Sequence, residues 1–346
     1  MKIFLIASAF SLVGACASRS YTQKIDDLKQ SIVFEQPEMI REYGKTITSD
    51  ELSTHVHTLA SAEFEGRKTG ENGFHRASNY LKDFYSTNVI PSPLGRDHYY
   101  QNIPKAYFNT ESPASQNVVA FIEGTVYPEE IIVLSAHLDH LGVSDNTIYY
   151  GADDNASGTA ALMEIAQAFI KAKSEGYGPK RSILFLHLTA EESGLLGSTY
   201  YVKHPIFALT NTIANLNIDM IGRVDKKHDE HKNENYIYII GADRLSTELH
   251  YISEAANSRF TNLELDYTYN AADDSNRYFY RSDHYNFARL GIPVIFYFNG
   301  EHADYHQPTD TPDKINYALL KKRAQLIFTT TWYLANSAKK LSTAKL

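Results

Sequence analysis

Cysteine is almost missing from this chain: Cys16 is the only one in 346 residues. A chain with a single thiol forms no internal disulfide, and beyond residue 16 it has no thiolate to serve as nucleophile or metal ligand. A G-x-S-x-G segment is absent as well, so the strained serine turn of acyl-enzyme hydrolases is not available. Positive charge is in deficit. The formal charge is −8 and no basic patch stands out, which removes the usual basis for holding a nucleic-acid backbone. No repeat, low-complexity tract or long apolar span interrupts the body of the chain.

What is present begins with a short apolar run, M-K-I-F-L-I-A-S-A-F-S-L-V-G-A. One positive charge followed by apolar residues, far fewer than the roughly 20 that a spanning helix needs, reads as a secretion signal. It stops at Cys16, after Val13, Gly14 and Ala15, and resembles the lipobox of bacterial lipoproteins. The expectation is a signal peptide over residues 1–15 and a lipidated Cys16 as the only membrane attachment. Ala17 at the next position is consistent with the outer membrane of a Gram-negative envelope, periplasmic side. Residues 16–45 read as a tether with a first helix, and 46–340 as one domain.

Within that domain the periodicities alternate. Ser49 reads as the N-cap of a helix with Leu52, Val56 and Leu59 on one face, and Gly73 to Tyr85 as another with Ala77 and Leu81 inward. Strand-like runs follow at Asn117–Ile122, Ile131–Ser135, Ser182–Thr189, Thr212–Ile218, Tyr236–Ile240 and Val294–Phe298. Between and after them lie helical patterns at Gly158–Lys173, Ser246–Ser258, Ser282–Arg289 and Tyr317–Ala335. Apolar strands alternating with helices predict an α/β single domain, a mostly parallel mixed sheet flanked by helices on both faces.

Five segments carry chemistry: S-A-H-L-D-H with His137 and Asp139, G-A-D-D-N-A-S-G with Asp153, T-A-E-E-S-G with Glu191 and Glu192, N-I-D-M with Asp219, and Y-H-Q-P-T-D with His306. Taken singly, each has an ordinary explanation. A histidine after a strand is usually a hydrogen-bonded loop residue, and Asp153 and Asp154 before a helix could simply cap it. Three of the segments, however, follow the carboxyl ends of strands, where the ligands of open α/β sheets gather. Two imidazoles and three carboxylates suit a pair of zinc ions, with one carboxylate left over as a base. Asp139, two residues from His137, is placed to take the ring's other N–H and fix its tautomer. His140 reads as structural or substrate-facing.

Together with R-S-D-H-Y-N-F-A-R-L-G-I-P, these segments resemble the signature of the clan MH zinc aminopeptidases, the family of bacterial leucyl aminopeptidases, glutamate carboxypeptidase and glutaminyl cyclase, over about residues 45–335. The resemblance implies the zinc-dependent exopeptidase fold and two zinc ions per chain. It implies His137 and Asp219 on one ion, Glu192 and His306 on the other, Asp153 bridging them, and a cis Asp153–Asp154 peptide. It implies Glu191 as general base acting on a water held and activated by the ions, and a tyrosine near the developing oxyanion, for which Tyr280 is the candidate. Tyr280 could equally be a packing residue. A sister family with a dimerisation lid between its last two ligand segments fits poorly, because only residues 220–305 separate Asp219 from His306.

The implied reaction is hydrolysis of a peptide with a free N-terminus, whose ammonium the acidic site can pair. A carboxypeptidase would need arginines aimed at a substrate carboxylate, and Arg223, Arg277 and Arg281 form no recognisable cluster in the sequence. Two other readings stay open: a glutaminyl-cyclase-like aminoacyltransferase on the same fold, and a catalytically silent peptide-binding scaffold.

Overall fold

Residues 131–136 read I-I-V-L-S-A, and a strand so continuously apolar has to be covered on both faces. In this computed structural model, which describes residues 20–108 and 112–346, that segment lies at the centre of an eight-stranded sheet. The strands in chain order are β1 (Tyr100–Ile103), β2 (Ser115–Ile122), β3 (Tyr127–His137), β4 (Gly142–Ser144), β5 (Thr147–Tyr149), β6 (Arg181–Leu188), β7 (Thr212–Ile218), β8 (Tyr236–Ile240), β9 (Glu264–Asp266) and β10 (Val294–Phe298). β4 and β5 pair with each other. The remaining strands are ordered β1-β2-β6-β3-β7-β10-β8-β9. The central four, β6-β3-β7-β10, are mutually parallel, with Val133 of β3 registered against Leu184 of β6 and Asn215 of β7. β2 and β8 join this block antiparallel, which makes the sheet mixed.

Alternate residues of each strand serve opposite faces. Ile132, Leu134 and Ala136 enter the larger core with Phe185, Leu216 and Tyr297, beneath helices Ser49–Leu59, Asn72–Thr87, Gly158–Ser174 and Tyr317–Asn336. Ile131 and Val133 enter a smaller core with Leu186, Phe296, Tyr201 and Phe287, covered by helices Leu196–Lys203 and His284–Ala288. Each fully buried side chain of this size stabilises the fold by about 1.5–3 kcal/mol.

The strands and long helices lie where their periodicity predicts, with ends shifted by a few residues. The cap of the helix at 49 is Thr48, whose side chain accepts the N–H of Glu51, and Ser49 is already in the first turn. Two helices, Tyr21–Ser31 and Pro37–Gly44, precede it, and Ile40 and Tyr43 join the larger core, so the packed body starts before residue 46. β1, the β4–β5 hairpin, β9 and helix Leu196–Lys203 went unread because each is short and carries little periodicity. The signal segment 1–15 and Cys16 lie outside the described residues. Among the described residues no helix is long and apolar enough to cross a membrane.

Candidate metal centre

Because β6, β3, β7 and β10 are parallel neighbours, their carboxyl ends open on one edge of the sheet. His137 ends β3, Glu191 and Glu192 follow β6, Asp219 follows β7, and His306 lies in the loop after β10. The imidazole of His137 is buried, with Nε2 3.2 Å from Asp154 Oδ1 and 3.1 Å from Asp219 Oδ1. Its Nδ1 faces the backbone carbonyl of Asp139 at 3.0 Å, whereas the Asp139 carboxylate is 4.0 Å away. Asp139 therefore orients the ring through its main chain and not, as its spacing suggests, through its side chain. That side chain accepts the N–H of Glu191 and the hydroxyl of Thr69 instead. Burial pushes its carboxyl up to about 6.

The aspartate common to both candidate donor groups is Asp154, not Asp153. Both aspartates lie in an irregular turn, Ala152–Ser157, whose cis peptide is Asp154–Asn155, one bond later than the family resemblance implies. Asp153 turns its carboxylate away from the cluster, taking the N–H of Gly222 on Oδ1 and facing His302 Nε2 at 3.1 Å with Oδ2. Asp154 reaches His137 with Oδ1 and His306 Nε2 with Oδ2, the latter at 3.1 Å. The two carboxylates diverge because adjacent residues of the turn present opposite sides. Asp310 holds the turn in place by accepting the N–H groups of both Asp153 and Asp154.

Glu192 lies between two imidazoles, with Oε2 3.2 Å from His306 Nε2 and Oε1 2.9 Å from His140 Nδ1. Among the described residues, two groups hold ligand atoms within 4.8 Å of one another: His137 with Asp154 and Asp219, and His140 with Asp154 and Glu192. His306 adjoins the second group. The residues fit divalent cations by two observations. Asp154 Oδ2 is buried and accepts no hydrogen bond of good geometry. Burial by itself would lower the imidazoles, yet the carboxylates of Asp154 and Glu192 hold His306 up at about 10, and Asp219 and Glu191 raise His137 well above its ordinary value. A field that favours positive charge this strongly, built from imidazole nitrogen and carboxylate oxygen, suits zinc.

Glu191 lines the cavity beside His137, Asp154, Asp219 and His306. Burial raises its carboxyl well above the carboxylate range, the charges of Asp219 and Glu192 raise it further, and His137 pulls it back. Tyr280 does not reach this cavity. It is 40% exposed and lines a separate depression with Arg244 and Arg277, while Tyr278 faces the cluster. The cause is the 3₁₀ turn Tyr278–Tyr280, which rotates successive side chains by about a third of a turn.

Several supporting residues escaped the sequence reading. Ser282 donates to Asp219 Oδ2 and accepts from Asn217. The fully buried Arg67 donates to the carbonyls of Leu59, Leu138, Tyr150 and Gly151, tying together the loops that present His140 and Asp154. Ser282 and Asp310 fall inside segments that stood out for other residues, and only R-K in a glycine-punctuated loop marked Arg67.

The chain has counterparts among known proteins. The profile of peptidase family M28 matches residues 117–331, and the chain belongs to that family. Aminopeptidase YwaD of Bacillus subtilis is 26% identical over 249 residues, 70% of this chain and 49% of that protein. The chain spans less than 60% of the length of the first curated relatives it matches. In fold it is similar to the LapA aminopeptidase of Legionella pneumophila, with a TM-score of 0.67 at 20% identity covering 89% of this chain and 77% of that one. It is also similar to BSAP, a zinc aminopeptidase from Bacillus subtilis, with a TM-score of 0.64 at 17% identity covering 86% and 98%.

Proposed function

We propose that this chain is a two-zinc aminopeptidase that removes N-terminal residues from peptides. The observation that carries the reading is the pair of donor groups sharing Asp154, with Glu191 in the same cavity. His137 and Asp219 would hold one ion, Glu192 and His306 the other, with Asp154 between them. When bound, two such ions lower the pKa of a water and polarise a scissile carbonyl.

The chain's own residues do the rest. Asp139 fixes the His137 tautomer through its carbonyl, so that Nε2 is the nitrogen offered to a cation. Ser282 holds one oxygen of Asp219 and leaves the other facing His137. Glu191, made more basic by burial and then by its acidic neighbours, takes the proton of the attacking water and delivers it to the leaving amine. Tyr278, rather than Tyr280, is on the cavity wall, which it shares with Tyr305, and is the phenol we assign to a developing oxyanion.

A free α-amino group is the favoured recognition element because the cavity is acidic and the arginines in and near it are engaged. Arg281 pairs with Glu301 at 2.9 Å, Arg223 with Asp304 at 2.8 Å, and Arg277 stacks over Tyr280. Only Arg281 lines the cavity, already paired with Glu301, so no cluster of unpaired guanidinium groups faces the site, which disfavours a carboxypeptidase. The test is a screen of the zinc-loaded protein on amino-acyl, dipeptidyl and N-blocked chromogenic amides. Cleavage of amino-acyl amides, abolished by chelation, is expected, and cleavage of blocked substrates alone would overturn the assignment. For the protein's location we propose a lipid anchor at Cys16 on the periplasmic side of the outer membrane. Cys16→Ser should move the protein to the soluble fraction, and unchanged partitioning would refute the anchor.

A further inference from the structure

His140 is the one member of the two donor groups that the role assignment above leaves without a task. Its imidazole is fully buried. Its Nδ1 points at Glu192 Oε1, 2.9 Å away, and stands 3.6 Å from Asp154 Oδ2. The second distance is too long for a hydrogen bond, and Asp154 Oδ2 accepts none. Nδ1 makes a single hydrogen bond, to Glu192, and Nε2 of the same ring has no hydrogen-bond partner among the described residues, so one contact to a candidate ligand is all that engages the buried imidazole. The backbone is shaped to admit it. Gly151 has φ +57°, and a Cβ there would fall 2.5 Å from the His140 ring and 2.2 Å from the carbonyl of Asp154.

We propose that His140 is an additional protein ligand of the second cation position, which then carries four protein donors, His140, Asp154, Glu192 and His306, against three at the first. The inference rests on the two-zinc reading and deepens it. Two donors on one tetrahedral zinc, each at about 2.0–2.1 Å, lie roughly 3.3 Å apart. Here His140 Nδ1 is 2.9 and 3.6 Å from Glu192 and Asp154, and His306 Nε2 is 3.2 and 3.1 Å from the same two carboxylates. Those four distances bracket that value; His140, Asp154 and Glu192 hold ligand atoms within 4.8 Å of one another, and His306 joins them from outside that group through the same two carboxylates. The first position, with His137, Asp154 and Asp219, has one protein donor fewer, and by the general contrast between closed and open zinc sites it is the one that keeps room for an exogenous oxygen. The two positions therefore differ in affinity, with the His140 position the tighter.

Zinc titration against a chromophoric chelator, with the absorption spectrum of the cobalt-substituted protein as a second readout, tests this. Wild type is expected to bind two ions of unequal affinity. His140→Ala should weaken one ion at least about 100-fold, leave the other unchanged and alter the cobalt absorption. His140→Gln keeps an N–H that can hold Glu192 but replaces the imidazole donor, and the same loss is expected in it. Wild-type affinity for both ions in His140→Gln would mean that the ring only hydrogen-bonds Glu192, and would overturn the assignment while leaving the two-zinc reading intact. A wild-type protein that binds no zinc would remove both.

Discussion

The two halves of the metal centre are built differently. The half containing His137 and Asp219 sits at the ends of β3 and β7, with Asn215, Ser135, Asn217 and Ser282 passing hydrogen bonds from one strand to the next behind Asp219. His137 is 1% exposed. The half containing His140, Glu192 and His306 hangs on loops, and the side chain of His306 is 35% exposed. His306 adopts φ +56°, an unusual backbone for a non-glycine residue, and stacks on Tyr305 at 3.9 Å between ring centroids. A sheet edge fixes donors through its own hydrogen-bond ladder. A loop needs buried anchors such as Arg67 and Asp310. The open side of the centre is therefore the His306 side, from which the proposed substrate would approach.

The heaviest blow to this division comes from the residue the halves share. Asp154→Ala should lower both zinc content and turnover, the latter by roughly 10⁴-fold, whereas Asp153→Asn should leave a protein that still binds metal. Elemental analysis beside kinetics separates the two, and equal metal loss in both variants would restore Asp153 to the bridge. Glu191→Gln leaves both halves standing and removes only the proton acceptor. Turnover should fall about 10²–10⁴-fold with zinc content unchanged, and full activity would exclude Glu191 as base.

Arg67→Met sharpens the comparison from the loop side, because it takes one donor away from each of four carbonyls without touching a metal-facing group. A loss of about 3 kcal/mol in unfolding free energy is expected from denaturant titration. An unchanged midpoint would show that the loops hold themselves.

The smallest effect on the site itself belongs to the strand side. His187 on β6 is buried against the hydroxyl of Tyr85, and burial pushes its pKa down to about 3. The folded protein keeps this ring neutral while the unfolded chain protonates near 6.5. Its contribution is therefore complete above pH 6.5 and declines as pH falls toward about 3, by at most about 1.4 kcal/mol per pH unit. His187→Gln should flatten that acid slope relative to the parent, measured by unfolding between pH 7 and pH 4. An identical slope would assign the acid sensitivity elsewhere.

Strand-borne features were the ones written plainly in the chain. Apolar runs such as I-I-V-L-S-A and Y-I-Y-I-I announce buried strands, and a histidine or acid directly after such a run inherits a predictable place at the sheet edge. Loop-borne features were less legible. Asp153 and Asp154 are adjacent and chemically identical, and nothing local says which one faces the cations. The dihedral angles of the turn and the grip of Asp310, 156 residues further on, make that choice. Tyr278 and Tyr280 are separated in the same way by the hand of a single 3₁₀ turn.

By its composition and motif order alone, the sequence determined an α/β domain without thiol chemistry, with imidazole and carboxylate donors spaced for delivery by successive strand ends. Those properties depend on residue type and on periodicities a few residues long. Which aspartate is common to both candidate donor groups, whether Asp139 meets His137 with its carbonyl or its carboxylate, and the place of His140 beside Glu192 and Asp154 were decided only in the folded chain. Each depends on backbone angles and on partners brought together across the sheet, and a side chain's direction in an irregular turn is set by the packing around it rather than by its own identity.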